Sequence, residues 1–257
     1  MPMTQQVNDR HILAEIGGAF VFLTRLPMPQ WLFTKGYPDL QASLWAFPLV
    51  GLVVGLFGSL TFALGHYVTL PYEVSAILAL IVMVIITGGL HEDGLADMAD
   101  GFGSHKGPDE IARIMKDSLI GSFGTIALIL LYFTRWSALS HLDIMLTMAS
   151  LPAIMAMGRF FVVIALYTTP LSPYATLGKT LSKPSHQTII ASFVMMLLAC
   201  LFLSFVTALA AFCAAFFMFL SVRFISCRKI GGLTGDVMGA LISLTEAAAL
   251  IGILSYG

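Results

Sequence analysis

Residues 192–224 read SFVMMLLACLFLSFVTALAAFCAAFFMFLSVRF, and Arg223 is the only charged residue in this stretch. A helix needs about 20 mostly apolar residues to cross the hydrocarbon core of a bilayer. The stretch is long enough for two such helices joined by a very tight turn near Ser204. It therefore predicts a pair of membrane-spanning helices.

The whole chain has the same character. Of its 257 residues 58% are hydrophobic and 11% are charged, and the mean hydropathy is +0.91. A soluble domain is about 45–50% apolar and about 25% charged, and a soluble fold of this size could not hide so much apolar surface. We predict an all-α, polytopic transmembrane helical bundle of six or seven spans, forming a single integral membrane domain over residues 1–257. The net charge of −1 and the lack of a polybasic stretch argue against a nucleic-acid partner.

Seven apolar segments have the length of a span or come close to it. They cover residues 43–64, 74–90, 120–140, 145–167, 188–205, 207–225 and 237–255. A shorter apolar segment, residues 12–26, contains the pair Gly17–Gly18, which interrupts it. We expect that segment to lie in the interface or to re-enter the membrane rather than cross it.

The basic residues predict an orientation. With seven spans and a cytoplasmic N-terminus, most Lys and Arg fall in the inner segments, and the outer loops near residues 65–73, 141–147 and 205 contain none. This asymmetry is what the positive-inside rule describes. We therefore predict a multi-pass protein of the cell inner membrane, with its N-terminus and active site on the cytoplasmic side.

Four carboxylates follow the second predicted span, in the segment 87–103, TGGLHEDGLADMADGFG. Asp93, Asp97 and Asp100 have the spacing i, i+4, i+7, which puts them on one face of a helix. Like charges this close repel one another unless a cation lies among them. With Glu92 they are candidate ligands of Mg²⁺ or Mn²⁺, which prefer oxygen ligands. The alternative is a solvated acidic face at a helix start, where the helix dipole favours negative charge.

His91 precedes this cluster, and Arg113 and Lys116 follow it in the predicted cytoplasmic segment, residues 91–119. His91 is a candidate metal ligand or proton carrier, or simply a hydrogen-bonded polar residue. Arg113 and Lys116 are spaced i, i+3 and are candidate phosphate contacts. Topology alone also requires basic residues here.

A second polar segment, RKIGGLTGD at residues 228–236, precedes the last predicted span. Its glycines and Thr234 could cradle a phosphate, and Asp236 could supply a further metal ligand or base. The alternative is a plain connector.

Four charged residues fall inside predicted spans. Arg135 lies toward the outer end of its span and Arg223 at the end of its own, whereas Arg159 and Glu246 lie deeper. Glu246 lies about 15 Å into the last span, where a carboxylate is costly and usually faces the bundle interior. It could pair with Arg159 or hold water or metal. Glu15 and Arg25 bracket the short N-terminal apolar segment and could lie near the cytoplasmic end of the last span.

The chain resembles the adenosylcobinamide-GDP ribazoletransferase, or cobalamin (5′-phosphate) synthase, family. The motifs that carry the resemblance occur in the family's order: FLTRLP at 22–27, FPLVG at 47–51, GGLHEDGLADMADG at 88–101, MKDS at 115–118, IGSFG at 120–124 and GGLTGD at 231–236. They are spread along the whole chain.

The resemblance implies an Mg²⁺-dependent transfer in the last steps of coenzyme B12 biosynthesis. A hydroxyl of α-ribazole, or of its 5′-phosphate, attacks the phosphate nearest cobinamide in adenosylcobinamide-GDP, and GMP leaves. The carboxylates Asp93, Asp97 and Asp100 would then hold metal, one of them as a general base, with Asp236 as a further ligand. Lys116 would act with Asp93, Asp97 and Asp100 as a catalytic residue that contacts phosphate. The implied substrate contacts are Arg113, His91, Asp117, Thr234, Arg25 and Glu246. The partners would be these substrates, the bilayer, and a second copy of the chain or other enzymes of the pathway.

Two rival functions remain open at this point. The spacing of the acids is similar to that in membrane CDP-alcohol phosphotransferases, which make lipids. A cation- or proton-coupled transporter would place its acids near the middle of the membrane, whereas here they gather at one edge and only Glu246 lies deep.

Overall fold

The computed structural model describes residues 3–33, 36, 39–176 and 181–256, with side chains from Ile12 onward. In that part of the chain every named element is helical, and a lone β-bridge joins Leu171 to Leu233. The helices are α1 Met3–Leu23, α2 Leu40–Ser43, α3 Phe47–Tyr67, α4 Tyr72–Thr87, α5 Leu90–Gly103, α6 Pro108–Ile114, α7 Ser122–His141, α8 Ile144–Thr168, α9 His186–Ala199, α10 Phe205–Ile230 and α11 Gly235–Leu254. Short 3₁₀ turns lie at Gln30–Phe33 and Leu44–Ala46. The helical membrane bundle predicted from the sequence is confirmed.

The centre of the bundle is formed by α8 and α11, which are buried along most of their length. α3 crosses α8 closely, because Gly51 and Gly55 bring their backbone against Met155 and Leu151 and leave no room for a side chain. Small residues allow this kind of close approach between membrane helices. α7 and α10 are mostly exposed and present large apolar side chains such as Leu130, Phe133 and Phe217 outward, as expected of surfaces that face lipid.

The predicted spans agree with the helices in part. Within the described residues, five helical segments are long and apolar enough to cross a membrane: Leu40–Tyr67, Ser122–His141, Ile144–Thr168, Phe205–Ile230 and Gly235–Leu254. The segment predicted at 74–90 ends early, because α4 has 16 residues and the chain then bends by 90° into α5. Counting α4 and α5 as one broken span gives six. The span predicted at 188–205 is the 14-residue α9, which at about 1.5 Å per residue is shorter than the hydrocarbon core.

The bend between α4 and α5 depends on two glycines. Gly88 and Gly89 have φ angles of +68° and +72°, a left-handed conformation that glycine adopts without steric cost. Arg25 packs its side chain against Gly88, in space that a side chain at that position would occupy. The turn sends α5 off at 90° to α4.

The predicted cytoplasmic segment at 91–119 contains two helices, α5 and α6. The N-terminal apolar segment differs from the sequence-based interpretation. α1 continues through Gly17–Gly18 without a break, because two glycines lower helix stability without removing a backbone donor. Its apolar part, Ile12–Leu23, is too short to span a membrane as a straight helix.

Candidate active site

The acidic residues lie on a helix that is held against the end of α11. One side of α5 is buried, with Leu95 and Met98 in the core, and the acids lie on the other side. Gly94 permits the contact, because a Cβ atom there would come within 2.7 Å of the carbonyl oxygen of Asp236. This packing brings Asp236 beside Asp93 and Asp97, although more than 130 residues separate them in sequence.

Asp97 lies at the centre of this carboxylate cluster. Its own partial burial, followed by the negative charges of Asp93, Asp236 and Asp100, raises the pKa of Asp97 to about 7. A carboxyl group whose ionisation is opposed by its neighbours is a natural partner for a cation or for a proton in transfer. The predicted crowding of the acids is therefore present in three dimensions.

Asp100 has a further role in the fold. Its two carboxylate oxygens accept hydrogen bonds from the backbone N–H groups of Gly121, at 2.7 Å, and Gly124, at 2.9 Å. These groups lie at the N-terminus of α7, where backbone donors lack partners within the helix and the dipole favours an anion. Asp100 thus fixes α7 to α5.

A polar cleft of about 250 Å³ adjoins the carboxylates. Lys116, Tyr174, Thr234 and Asp236 line it, with apolar side chains from α6 and α10. Lys116 is exposed in the turn after α6 and provides a positive charge beside Asp236. The cleft can therefore receive an anionic group next to the carboxylates.

The other predicted phosphate contacts do not all reach this cleft. Arg113 is exposed and forms an ion pair with Glu110 at 2.6 Å, and this pairing lowers the pKa of Glu110. Asp117 accepts a hydrogen bond from the N–H of Leu119 in an exposed turn. Thr234 caps α11 by accepting from the N–H of Val237.

His91, Glu92 and Glu246 lie in a separate, buried cluster. Glu246 accepts from Arg159 and, at 2.7 Å, from Arg135, and Arg135 lies 3.5 Å from Glu92. His91 Nδ1 is 3.2 Å from Arg159. The predicted pairing of Glu246 with Arg159 is confirmed, and the geometry turns Glu92 and His91 away from the Asp face of α5.

Sequence reasoning missed several residues that build the site. Arg135 lies within the span predicted at 120–140, and a charge within a span is the signal that identifies Arg159, but its place toward the outer end favours a topological interpretation. Lys229 donates to the carbonyl oxygen of Phe102 at 3.0 Å and so fastens the C-terminus of α5. Tyr174 lines the cleft and donates a hydrogen bond to Asp109 at 2.6 Å, and this bond raises the pKa of Tyr174. The residues around Tyr174 form no motif that would have predicted its place in the cleft.

Two further cavities differ in character. One, of about 530 Å³, is an apolar groove between α4 and α7 on the lipid-facing side, and it is lined almost entirely by aliphatic and aromatic side chains. The other, about 170 Å³, is mainly apolar and includes Asp93 and Asp236 in its wall.

The donor set suits a hard divalent cation. No group of three or more His, Cys, Asp or Glu side chains among the described residues converges closely enough to hold a metal ion by itself. Mg²⁺, however, is usually held by one or two carboxylates together with water and substrate phosphates rather than by a complete protein cage. Asp93, Asp97 and Asp236 offer such carboxylates beside a cleft that is open to an anion.

The bundle, the carboxylate cluster and the cleft define an integral membrane protein with an acidic site at the end of its helices, and the comparisons place it among the transferases of cobalamin synthesis. The chain belongs to the cobalamin-5-phosphate synthase family, whose sequence pattern matches residues 15–254. No solved structure matches the chain.

Curated relatives match over nearly their full lengths. An adenosylcobinamide-GDP ribazoletransferase of Mesorhizobium japonicum is 37% identical over 246 residues, covering 95% of this chain and 94% of the relative. One of Azorhizobium caulinodans is 36% identical over 260 residues, covering 97% and 98%. One of a Shewanella species is 36% identical over 245 residues, covering 93% of both chains. The expected family is therefore confirmed.

Proposed function

We propose that this chain joins adenosylcobinamide-GDP to α-ribazole, or to α-ribazole 5′-phosphate, in an Mg²⁺-dependent reaction. A hydroxyl oxygen of the acceptor bonds to the phosphorus nearest cobinamide, the bond from that phosphorus to the bridging oxygen breaks, and GMP leaves with that oxygen. The hydroxyl proton passes to a base. The observation that carries this proposal is that Asp236 lines the cleft that contains Lys116, with Asp93 and Asp97 beside Asp236.

The side chains have separate roles in this proposal. Lys116 binds the anionic diphosphate, and Thr234 and Tyr174 orient it from the walls of the cleft. Asp97 is suited to accept the hydroxyl proton, because a general base works best with a pKa near the operating pH and the pKa of Asp97 is raised to about 7. Asp100 positions α5 through its two bonds to α7.

Magnesium would be held by Asp93 and Asp236, beside Asp97, where it would neutralise charge on the phosphate oxygens. Mn²⁺ has the same ligand preference. Since the same carboxylate cannot hold metal and accept the proton equally well, Asp97 serves as the base when Asp93 and Asp236 hold the ion.

The proposed location is the cytoplasmic face of the cell inner membrane. The support is the concentration of Lys and Arg in the segments that surround the carboxylates, including Lys106, Arg113, Lys116, Arg228 and Lys229, as the positive-inside rule requires. Association with a second copy or with other enzymes of the pathway stays a prediction.

The experiment is a reconstitution in lipid nanodiscs with adenosylcobinamide-GDP, α-ribazole and Mg²⁺, followed by chromatography for a cobamide and GMP. Wild type should form both in equal amounts, and EDTA or Asp97→Asn should stop the reaction. Asp143→Asn is the matched control, because Asp143 has no place in the proposed site and caps α8 by accepting from the N–H of Leu146. A folded wild type that makes no cobamide contradicts the proposal, and CDP-alcohol substrates and ion flux are then the next assays.

A further inference from the structure

The apolar cavity beside the carboxylates has no assigned occupant. It holds about 170 Å³ and lies between α1, α3, α5, α8 and α11. Its apolar wall is formed by side chains from all five helices and from neighbouring segments, including Phe22, Phe47, Val162, Leu166, Met238 and Ile242. Asp93 and Asp236 provide its acidic edge.

Asp236 also lines the polar cleft, so the two cavities adjoin at this residue. They have opposite character, since one contains Lys116 and hydroxyl groups and the other is largely aliphatic and aromatic. A reaction that joins two substrates at the carboxylates needs one binding place on each side of them. The cavities satisfy this requirement.

The chemistry of the two substrates matches the two cavities. The donor carries a charged diphosphate, which fits the side of Lys116 because a cation forms charge-assisted hydrogen bonds with phosphate oxygens. The acceptor carries an uncharged, methylated, bicyclic aromatic base, whose transfer from water into apolar surroundings is favourable. A cavity of about 170 Å³ is smaller than the roughly 300–1,000 Å³ of pockets that enclose a whole drug-sized ligand, so it suits the base alone.

The cavity wall also has aromatic character. The rings of Phe22 and Phe47 are nearly parallel, with an interplanar angle of 18° and centroids 6.0 Å apart. Aromatic rings favour offset stacking at such separations, and a planar base can extend this pair. Gly94 and Gly239 lie in the wall on the carboxylate side, so no side chain from either position separates the cavity from the acids.

We propose that this cavity is the binding site for the aromatic base of the nucleoside acceptor and that it sets the preference for an apolar base. This assignment rests on the proposed function. It places the ribose of the acceptor at the acidic edge, within reach of Asp93 and Asp236, and leaves the polar cleft to the diphosphate of the donor.

The test compares two acceptors that differ only in the base: α-ribazole and the corresponding riboside of adenine, which is polar. The ratio of their kcat/KM values is measured in nanodiscs for wild type, Phe22→Leu and Val162→Ala. The matched controls are Phe57→Leu, whose ring is exposed to a similar extent on α3, and Val54→Ala, whose side chain is fully buried in α3 away from the cavity. Lys116→Gln tests the polar cleft that is assigned to the diphosphate of the donor.

Wild type should prefer α-ribazole, and this preference should fall by about tenfold in each cavity variant, as is typical when a hydrophobic pocket loses part of its fit to a substrate. The KM for the donor should stay constant in those variants, and both controls should keep the wild-type preference. Lys116→Gln should raise the KM for the donor and leave the preference unchanged.

An unchanged preference in both active cavity variants would overturn the assignment, as would a wild type that makes no distinction between the bases. Failure of the proposed function has a different signature, which is that wild type forms no cobamide from either acceptor. If one cavity variant fails to fold, the other decides the question, because the two substitutions lie in different helices.

Discussion

Arg135 of α7 donates a hydrogen bond of 2.7 Å to Glu246 of α11, and both residues are more than nine tenths buried. Glu246 also accepts from Arg159, and Arg135 approaches Glu92 in the first turn of α5. With His91 neutral, the two arginines balance the two glutamates. The cluster thus joins α5, α7, α8 and α11 without net charge, and it fixes the start of the helix that carries the aspartates.

Glu246→Ala should destabilise the protein strongly, because it leaves Arg135 and Arg159 buried without their shared partner. Removal of one member of a buried ion pair typically costs about 3–5 kcal/mol. We expect a clear fall in the apparent Tm in detergent, followed by thermal-shift fluorescence. The control is Glu110→Ala, which breaks an exposed pair that contributes little to stability. Equal Tm values for the two variants would contradict a stabilising role for the cluster.

The half-saturating concentration of Mg²⁺ should fall as the pH rises from 6 to 8. The pKa of Asp97 is raised to about 7 by burial and by its acidic neighbours, so protons compete with the cation below that pH. The midpoint of the pH dependence of Mg²⁺ binding, measured by calorimetry on the protein without substrate, should lie near 7. Asp97→Asn should remove this midpoint, and persistence of the midpoint in that variant would assign it to another group.

The same pKa predicts how stability depends on pH in the absence of metal. The folded-state pKa of Asp97 exceeds its unfolded value of 3.8, so folding favours the protonated form, and the apparent Tm should decline as the pH rises from about 4 to 7. Mg²⁺ should reverse the decline at pH 8. A smaller pH-dependent decline is expected for Asp97→Asn under identical conditions, and an identical decline would exclude Asp97 as its source.

Asp100→Ala should loosen the junction between α5 and α7. The substitution removes two hydrogen bonds to a charged acceptor, each of which contributes about 1.5–3 kcal/mol. Asp143→Ala is the comparison, because Asp143 makes one capping bond, to the N–H of Leu146 at 2.8 Å, and loss of a cap costs about 1 kcal/mol. Hydrogen exchange at the N-terminus of α7 should accelerate in the first variant, and protection equal to wild type would refute the anchoring role.

Gly55→Ala should weaken the crossing of α3 and α8. A Cβ atom at that position would lie 2.5 Å from backbone atoms of Leu151 and Pro152, so the helices would have to separate. Overpacking of this kind typically costs about 1–3 kcal/mol, which thermal-shift fluorescence should detect. Gly107→Ala is the control, because nothing lies within 4 Å of its added carbon. Retention of the wild-type Tm by Gly55→Ala would mean that the crossing tolerates wider spacing.

The sequence predicted much of the candidate site. The spacing of Asp93, Asp97 and Asp100 predicted a shared helix face, and the structure places all three on α5. The pairing of Glu246 with Arg159 followed from the cost of burying either charge alone. The same argument applied to Arg135, but its position near a predicted span end favoured a topological interpretation.

Composition and periodicity determined the class of fold, since no other environment accommodates so many apolar residues. They also determined which residues carry charge where charge is costly. Only the tertiary structure decided which charges meet: that Asp236 joins the Asp face of α5, that Asp100 caps α7, and that Glu92 and His91 turn inward. The reason is that these contacts depend on how the packed helices are rotated about their axes and on the close approach of α5 and α11 at Gly94. The periodicity of a single segment predicts neither.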